Sequence, residues 1–370
     1  MKIGIDARVL DRKVTGTSRY LLNLLNEIPE MDSQNQYFLF STKKHDINKN
    51  FYQSIISSES KIPFKIYSPI WINKDIPQLV KKHSIDVMLF PNVLAPIVGL
   101  NKCRIVSVVH DVIFKVYKEY YPFFYRQYLA SYLPISLKKS DKVITVSELS
   151  KNDIMKYYNI PSEKIEVVYN TASNSFYPRN ISEPEKSIFL SKYSLPEKYL
   201  LYVGVVEKRK NIAALIQIMD ELERMGVKQK LVIIGKAGYK SQYLLEEISK
   251  RGNTIAYFPY MEDNDLAYIY NLAFAFLFPS FYEGFGIPPL EAMQSATPVL
   301  ASNAPALVEV VGEGGLIHNS NDYTGFVDDI LKLESDKEFY SNMKEKAFEQ
   351  SKKFNIKETT KKLVNVLNSF

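Results

Sequence analysis

The sequence predicts an α/β protein made of two Rossmann-like domains with a ligand-binding interdomain cleft. Short apolar runs rich in Ile and Val alternate with longer helix-like segments, the pattern of parallel sheets covered by helices on both faces. The alternation occurs twice, in two series separated at 178–196 by PRNISEPEKSIFLSKYSLP, which holds three prolines and little strand periodicity. A length of 370 residues also exceeds what one hydrophobic core usually supports. Doubly wound sheets bind ligands outside the carboxyl ends of their strands, which puts the expected site in the cleft.

The first series predicts strands at 2–6, 37–40, 64–67, 86–90, 104–109, 142–146 and 165–168, and a domain covering residues 1–177. Residues 178–197 read as a linker holding one short helix. The second series predicts strands at 199–203, 230–234, 254–258, 275–278 and 298–301, and a domain covering 198–354. The final segment, 355–370, reads as a polar helix with a stripe of Leu363, Val364, Val366 and Leu367 that must pack on one of the domains.

Composition narrows the class. With 46% hydrophobic and 24% charged residues the chain is that of a soluble globular protein. The apolar run begins at Ile3, leaving no room for a signal peptide, and no stretch approaches the roughly 20 apolar residues of a membrane span. A cytoplasmic protein is therefore expected. The single cysteine, Cys103, excludes an intrachain disulfide, and His45, His83, His110 and His318 lack ligand spacing, so no metal is expected. The net charge of +6 is diffuse and accompanies no nucleic-acid motif, so no nucleic-acid partner is expected.

The most informative segment is FPSFYEGFGIPPLEAM at 278–293. A strand ends near Phe278, a loop carries Gly284, Phe285 and Gly286, and a helix opens after Ile287 near Pro288, since proline is favoured where the N–H has no intrahelical partner. Such a helix start attracts an anion, and the glycines let a phosphate approach the backbone. Glu283 can then accept hydrogen bonds from sugar hydroxyls, and Glu291 can grip the vicinal diol of a ribose. An isolated glutamate pair would more often complement a helix dipole or face solvent; the glycine and proline loop between these two favours ligand contact.

A second element, YVGVVEKRKNI at 202–212, places Arg209 and Lys210 at a strand-to-helix turn, where they can clamp a diphosphate and neutralise charge on a leaving group. On its own such a turn is usually a solvated basic loop. A third, TGTSRY at 15–20, follows the first strand; Gly16 and Thr17 could let a diphosphate or sugar come close, whereas Arg19 and Tyr20 can serve as helix anchors. A fourth, VVHD at 108–111, carries His110 and Asp111 from a buried-looking strand into a loop.

With these segments in hand, the chain resembles the nucleotide-sugar glycosyltransferases of family 4, whose mark is two glutamates separated by seven residues, as Glu283 and Glu291 are within PSFYEGFGIPPLEAMQSATPVLAS. KVITVSELSK at 142–151 and LVIIGK at 231–236 extend the likeness over nearly the whole chain. It implies the GT-B architecture: an acceptor-binding domain at 1–177, a nucleotide-sugar-binding domain at 198–354 and a C-terminal helix at 355–370 that crosses back to the first domain. It implies a retaining, metal-independent hexosyltransferase with no cofactor beyond its nucleotide-diphosphate sugar. Arg209, Lys210, Glu283 and His110 take catalytic roles by that likeness, and His110 and Asp111 meet the acceptor. Gly16, Thr17, Tyr260, Met261, Gly284, Phe285, Gly286, Ile287 and Glu291 join the donor site, Tyr260 and Met261 lying near the base. The family's first loop is richer in glycine than the one here, where Thr15 and Thr17 depart from its pattern.

Because Glu291 is assigned to the ribose and Glu283 to donor hydroxyls, same-face attack is expected rather than double displacement. Mannose from a guanosine donor is the first expectation, with a glycan or lipid-linked glycan as acceptor. The aromatic and basic stretch 114–139 has the composition of a membrane-interface segment on the inner face of the membrane, or of a helix face packed on the first sheet. A nucleotide-sugar epimerase of the same fold and a non-catalytic nucleotide-sugar-binding subunit are the competing readings.

Overall fold

A computed structural model describes residues 1–11, 15–57, 64–100 and 102–370. The chain forms two compact units, one of Met1–Thr171 with Phe354–Phe370, the other of Ala172–Lys353.

The first unit holds a seven-stranded parallel sheet: β1 (Lys2–Asp6), β2 (Gln36–Ser41), β3 (Tyr52–Ile56), β4 (Val87–Phe90), β5 (Arg104–Val108), β6 (Lys142–Thr145) and β7 (Ile165–Val167), in the order β3-β2-β1-β4-β5-β6-β7. The order reverses at β1, where Ile3 faces Tyr37 of β2 on one side and Val87 of β4 on the other. The inner strands are buried on both faces, which explains their unbroken apolar runs. Gly4 makes room there, since a Cβ would stand 2.6 Å from Met88 Sδ and 2.7 Å from Phe40.

Two expectations for this sheet fail. Residues 64–67 are helical, at the start of Phe64–Ile70, which runs through a π-helical turn, Trp71–Asp75, into the helix Ile76–His83. Burial of Trp71, Ile72, Ile76 and Val80 outweighs the strand propensity of the segment's first residues. The strand β3 went unpredicted because it is an edge strand in which Tyr52 alone is buried.

The helix Ile356–Leu367 packs on the helix Gly16–Met31 of this unit, burying Leu363, Val364, Val366 and Leu367. Asn35 donates to Asn368 Oδ1 at 2.7 Å beside this contact.

The second unit holds β8 (Tyr199–Val203), β9 (Lys230–Ile234), β10 (Ile255–Phe258), β11 (Ala275–Phe278), β12 (Val299–Ser302) and β13 (Gly315–His318), parallel throughout, in the order β10-β9-β8-β11-β12-β13. The unpredicted strand is β13, a half-buried edge that begins with glycine. The order reverses at β8, which lies between β9 and β11.

The division between units falls at Thr171, and residues 178–197, expected as a linker, belong to the second unit. They carry the helix Glu183–Lys192, whose Ser182 and Glu185 form a capping box. Phe189 stacks on Tyr268, and the Arg179 N–H donates to Asn271 Oδ1 at 2.7 Å, so the helix Asp263–Leu272 holds the segment in place.

Candidate functional site

Where β8 and β11 run side by side, the loops that leave them lie side by side too. Past β11, residues 279–286 lead into the helix Ile287–Gln294, with proline in its first turn and Gly286 at its cap position. Gly286 has φ +127°, and a Cβ there would stand 2.9 Å from Leu307 Cδ2, so only glycine turns the chain here. No side chain caps this helix start.

Past β8, the 3-10 turn Lys208–Lys210 brings Arg209 and Lys210 against the neighbouring loop. Lys210 Nζ donates to Glu283 Oε1 at 2.7 Å, and Arg209 Nη1 lies 3.2 Å from Glu283 Oε2. Arg209 also donates to the Tyr282 carbonyl at 2.6 Å and to Glu207 Oε1 at 2.6 Å. Arg209, Lys210 and Glu283 are all more than nine-tenths buried. Burial pushes the Glu283 carboxyl up, but Lys210 and Arg209 beside it prevail and hold it below the usual carboxylate range. Burial pulls Lys210 down, with Arg209 adding to that and Glu283 opposing it. The result is a buried cluster in which each charged side chain has an oppositely charged partner.

Glu291 lies in the second turn of the helix that starts at Ile287. It is 2% exposed, and its Oε2 accepts from the Tyr270 hydroxyl at 2.8 Å, so it is no solvated complement to the dipole. Gly284 and Phe285 are buried in the loop, and Ile287 is half-buried. Beyond β10, Tyr260 is 69% exposed while Met261 is buried.

The remaining predicted residues gather in the first unit. His110, just past β5, lies 3.0 Å by Nε2 from the Pro91 carbonyl. A carbonyl only accepts, so Nε2 carries the proton and the neutral ring keeps its lone pair on Nδ1. Burial lowers the His110 pKa, against smaller opposing effects of that bond and of Asp111. Tyr20 meets the ring edge-on, with centroids 5.0 Å apart, and Ser150 Oγ donates to the His110 carbonyl at 3.0 Å. Asp111 Oδ1 accepts from the Ile113 N–H at 3.0 Å. Gly16 and Thr17 open the helix Gly16–Met31, whose cap is a box formed by Thr15 and Ser18. Thr15, a departure from the glycine-rich pattern, thus holds the helix start.

The structure therefore brings Arg209, Lys210 and Glu283 into contact, with Glu291 on the helix that follows. It brings Gly16 and Thr17 onto the helix that carries Tyr20 to His110. Sequence reasoning missed Glu207, Asn211 and Tyr270; the first two stood within the quoted motif, while Tyr270 showed no signal beyond an apolar helix face.

The segment 114–139 divides. Leu129, Tyr132, Leu133 and Leu137 of the helix Phe123–Lys139 are buried, whereas its first residues, Phe123, Phe124 and Tyr125, are exposed, Phe124 at 86%. Among the described residues no helix is long and apolar enough to cross a membrane.

Comparison with known proteins identifies the family and the fold. Residues 14–173 match the family described as Glycosyltransferase Family 4, and residues 185–350 match Glycosyl transferases group 1. The chain is 34% identical over 266 residues to the O-antigen chain mannosyltransferase B of Escherichia coli, covering 71% of this chain and 69% of that protein. It is 30% identical over 265 residues to a serotype-specific mannosyltransferase of Escherichia coli, covering 68% of this chain and 32% of that longer protein. Among solved structures, the sucrose-phosphate synthase of Thermosynechococcus elongatus aligns with a TM-score of 0.77 at 17% identity, covering 99% of this chain and 98% of that one. With two parallel Rossmann-type sheets of the GT-B class and both family signatures in place, the chain belongs to glycosyltransferase family 4, the glycosyl transferases of group 1.

Proposed function

We propose that this glycosyltransferase moves a hexose from a nucleotide-diphosphate sugar to a growing glycan or lipid-linked glycan with retention of anomeric configuration. The observation that carries the reading is the buried contact of Arg209 and Lys210 with Glu283, beside a helix start that no side chain caps. The diphosphate would lie against the N–H groups of Gly286 and Ile287, since Pro288 and Pro289 carry none, with Arg209 and Lys210 neutralising the charge that grows on the leaving group. Two fixed cations do here what a divalent metal does elsewhere, so activity should survive a chelator, and the chemistry calls for no resident cofactor.

Glu283, held by two cations, is a weak nucleophile and a good acceptor for donor hydroxyls. Attack on the same face follows, with the departing phosphate taking the acceptor's proton; a covalent sugar trapped on Glu283 would refute this. Glu291 would grip the ribose, with Tyr270 orienting it, and Tyr260 and Met261 would meet the base. Gly16 and Thr17 would close on the donor. His110, neutral with an open lone pair, would accept a hydroxyl of the transferred sugar, with Asp111 on the acceptor side.

Mannose from a guanosine donor is the favoured substrate because the two Escherichia coli relatives named above are mannosyltransferases, one of them of O-antigen chains. The same likeness favours bacterial polysaccharide assembly in the cytoplasm, with the exposed Phe123 and Phe124 resting on the inner membrane surface. The test is a thermal-shift panel of nucleoside diphosphates and nucleotide sugars, followed by product analysis with glycan acceptors. Stabilisation by GDP and transfer of mannose are expected. A panel in which no nucleoside diphosphate raises the melting temperature sinks the reading, and a converted sugar nucleotide without transfer would mean epimerisation.

A further inference from the structure

We infer that Asn211 is a positioning residue that sets Arg209 and Lys210 against Glu283. This rests on the reading of that cluster as the diphosphate clamp. Asn211 directly follows the turn Lys208–Lys210 and directly precedes the helix Ile212–Arg224. Its backbone is left-handed, φ 55° and ψ 44°, a conformation asparagine tolerates better than most side chains.

Asparagine at a helix start ordinarily caps it, its side-chain oxygen accepting from a first-turn N–H. This one makes no such bond. Its amide turns away and donates twice, to the Pro279 carbonyl at 3.1 Å and to the Ser320 carbonyl at 2.7 Å. Pro279 opens the loop that carries Glu283, and Ser320 lies in the connection after β13. One buried side chain thus ties together the loops that leave β8, β11 and β13.

The rest of the seam runs through Arg209 itself. The Phe281 N–H donates to the Arg209 carbonyl at 3.0 Å, and Arg209 Nη1 donates to the Tyr282 carbonyl at 2.6 Å. Besides the ion pairs to Glu283, the loop with the cations and the loop with the carboxylate are therefore laced at Pro279, Phe281 and Tyr282, and of these three bonds the one from Asn211 is made by a neutral side chain. Two carbonyls facing one side chain require two N–H donors. Only a primary amide of this length supplies both; an ionised aspartate of the same shape supplies none and sets its oxygens against the carbonyls. Glycine would keep the left-handed backbone and lose both bonds.

The experiment compares the parent with Asn211→Gly, Asn211→Asp and Arg209→Ala by titration calorimetry with GDP and UDP, with melting temperatures and steady-state kinetics alongside. Asn211→Gly should fold and bind the parent's preferred nucleoside diphosphate about tenfold more weakly, the loss of two modest hydrogen bonds. Its kcat should fall as well, with the acceptor KM unchanged. Asn211→Asp should bind more weakly still at pH 8 and recover relative to the parent as the pH falls, because a protonated carboxyl regains one donor.

A lowered melting temperature with parental affinity and parental pH dependence in both variants would make Asn211 merely structural and overturn the inference. Failure of both variants to fold would overturn it too. If the parent binds and Arg209→Ala does not, while the Asn211 variants bind as the parent does, Asn211 alone loses its role. If the parent binds neither diphosphate, or Arg209→Ala binds as well as the parent, the clamp reading falls and takes Asn211 with it.

Discussion

The two units repeat one sheet plan and treat charge in opposite ways. At the strand ends of the second, two cations and the carboxylate of Glu283 are packed into a buried cluster with half-buried Glu207 beside it, and the helices starting at Ile212 and Ile287 have no side-chain cap. At the strand ends of the first, the helix starting at Gly16 is capped by Thr15 and Ser18, and the predicted histidine is held neutral. Among the described residues of that unit Asp6 and Arg8 lie buried 3.8 Å apart beside Trp71, and Asp32 is buried apart from any cation cluster. A helix start can serve an anion only if the chain leaves its N–H groups uncommitted. By that criterion the proposed diphosphate site belongs to the second unit rather than the first.

The contrast breaks most sharply at Glu283. Glu283→Gln leaves Arg209 and Lys210 buried without their carboxylate, which should cost about 3–5 kcal/mol of stability on the scale of broken buried ion pairs. Thermal melts would read the loss. The folded carboxyl is more acidic than its ordinary value of 4.5, so its stabilisation is present above that pH and disappears as the pH falls through the lower folded value. The gap in melting temperature between parent and variant should therefore close in acid; a gap constant from pH 7 to pH 3 would show that Glu283 is not held as an anion.

Next in size, His110→Ala should lower kcat about 10- to 100-fold, the worth of a hydrogen bond to a reacting sugar, and leave nucleoside-diphosphate affinity unchanged. Because burial lowers the folded His110 pKa, the stability of its neutral form is full above the ordinary 6.5 and declines as the pH drops beneath it. Equal weakening of GDP binding by this variant would erase the proposed division between units.

A smaller effect is expected at the membrane. Each exposed phenylalanine is worth about 1.5–3 kcal/mol if fully buried, so Phe123→Ser with Phe124→Ser should reduce sedimentation with anionic vesicles at least about tenfold. Identical partitioning of parent and variant would end that idea. Smallest of all, Thr15→Ala should cost about 1 kcal/mol by loss of the cap, visible as a lower denaturation midpoint with donor KM little changed.

Much of this was legible in the sequence because the informative residues are close together in it. Glu283, Gly286 and Glu291 lie within one turn-and-helix segment, and proline and glycine announce the geometry. Arg209 and Lys210 were readable as a basic turn, but their contact with a carboxylate far along the chain, 73 residues from Lys210, was not, since it follows from the pairing of β8 with β11. The double donation by Asn211 was hidden for the same reason. Edge strands β3 and β13 escaped because a strand half-open to water lacks the apolar run that betrays a central one. The helix at 64–70 misled because its short aromatic and β-branched text fits a strand equally well, and the packing of Trp71 decides the matter.

The helix Ile356–Leu367 belongs to the first unit although 182 residues, Ala172–Lys353, intervene. During synthesis, at about 5–20 residues per second, the first sheet must wait on the order of ten to forty seconds for its last piece. Until then the apolar side of the helix Gly16–Met31 that receives it stays open to water or to a chaperone. The earliest part of the chain to fold is thus among the last to be finished.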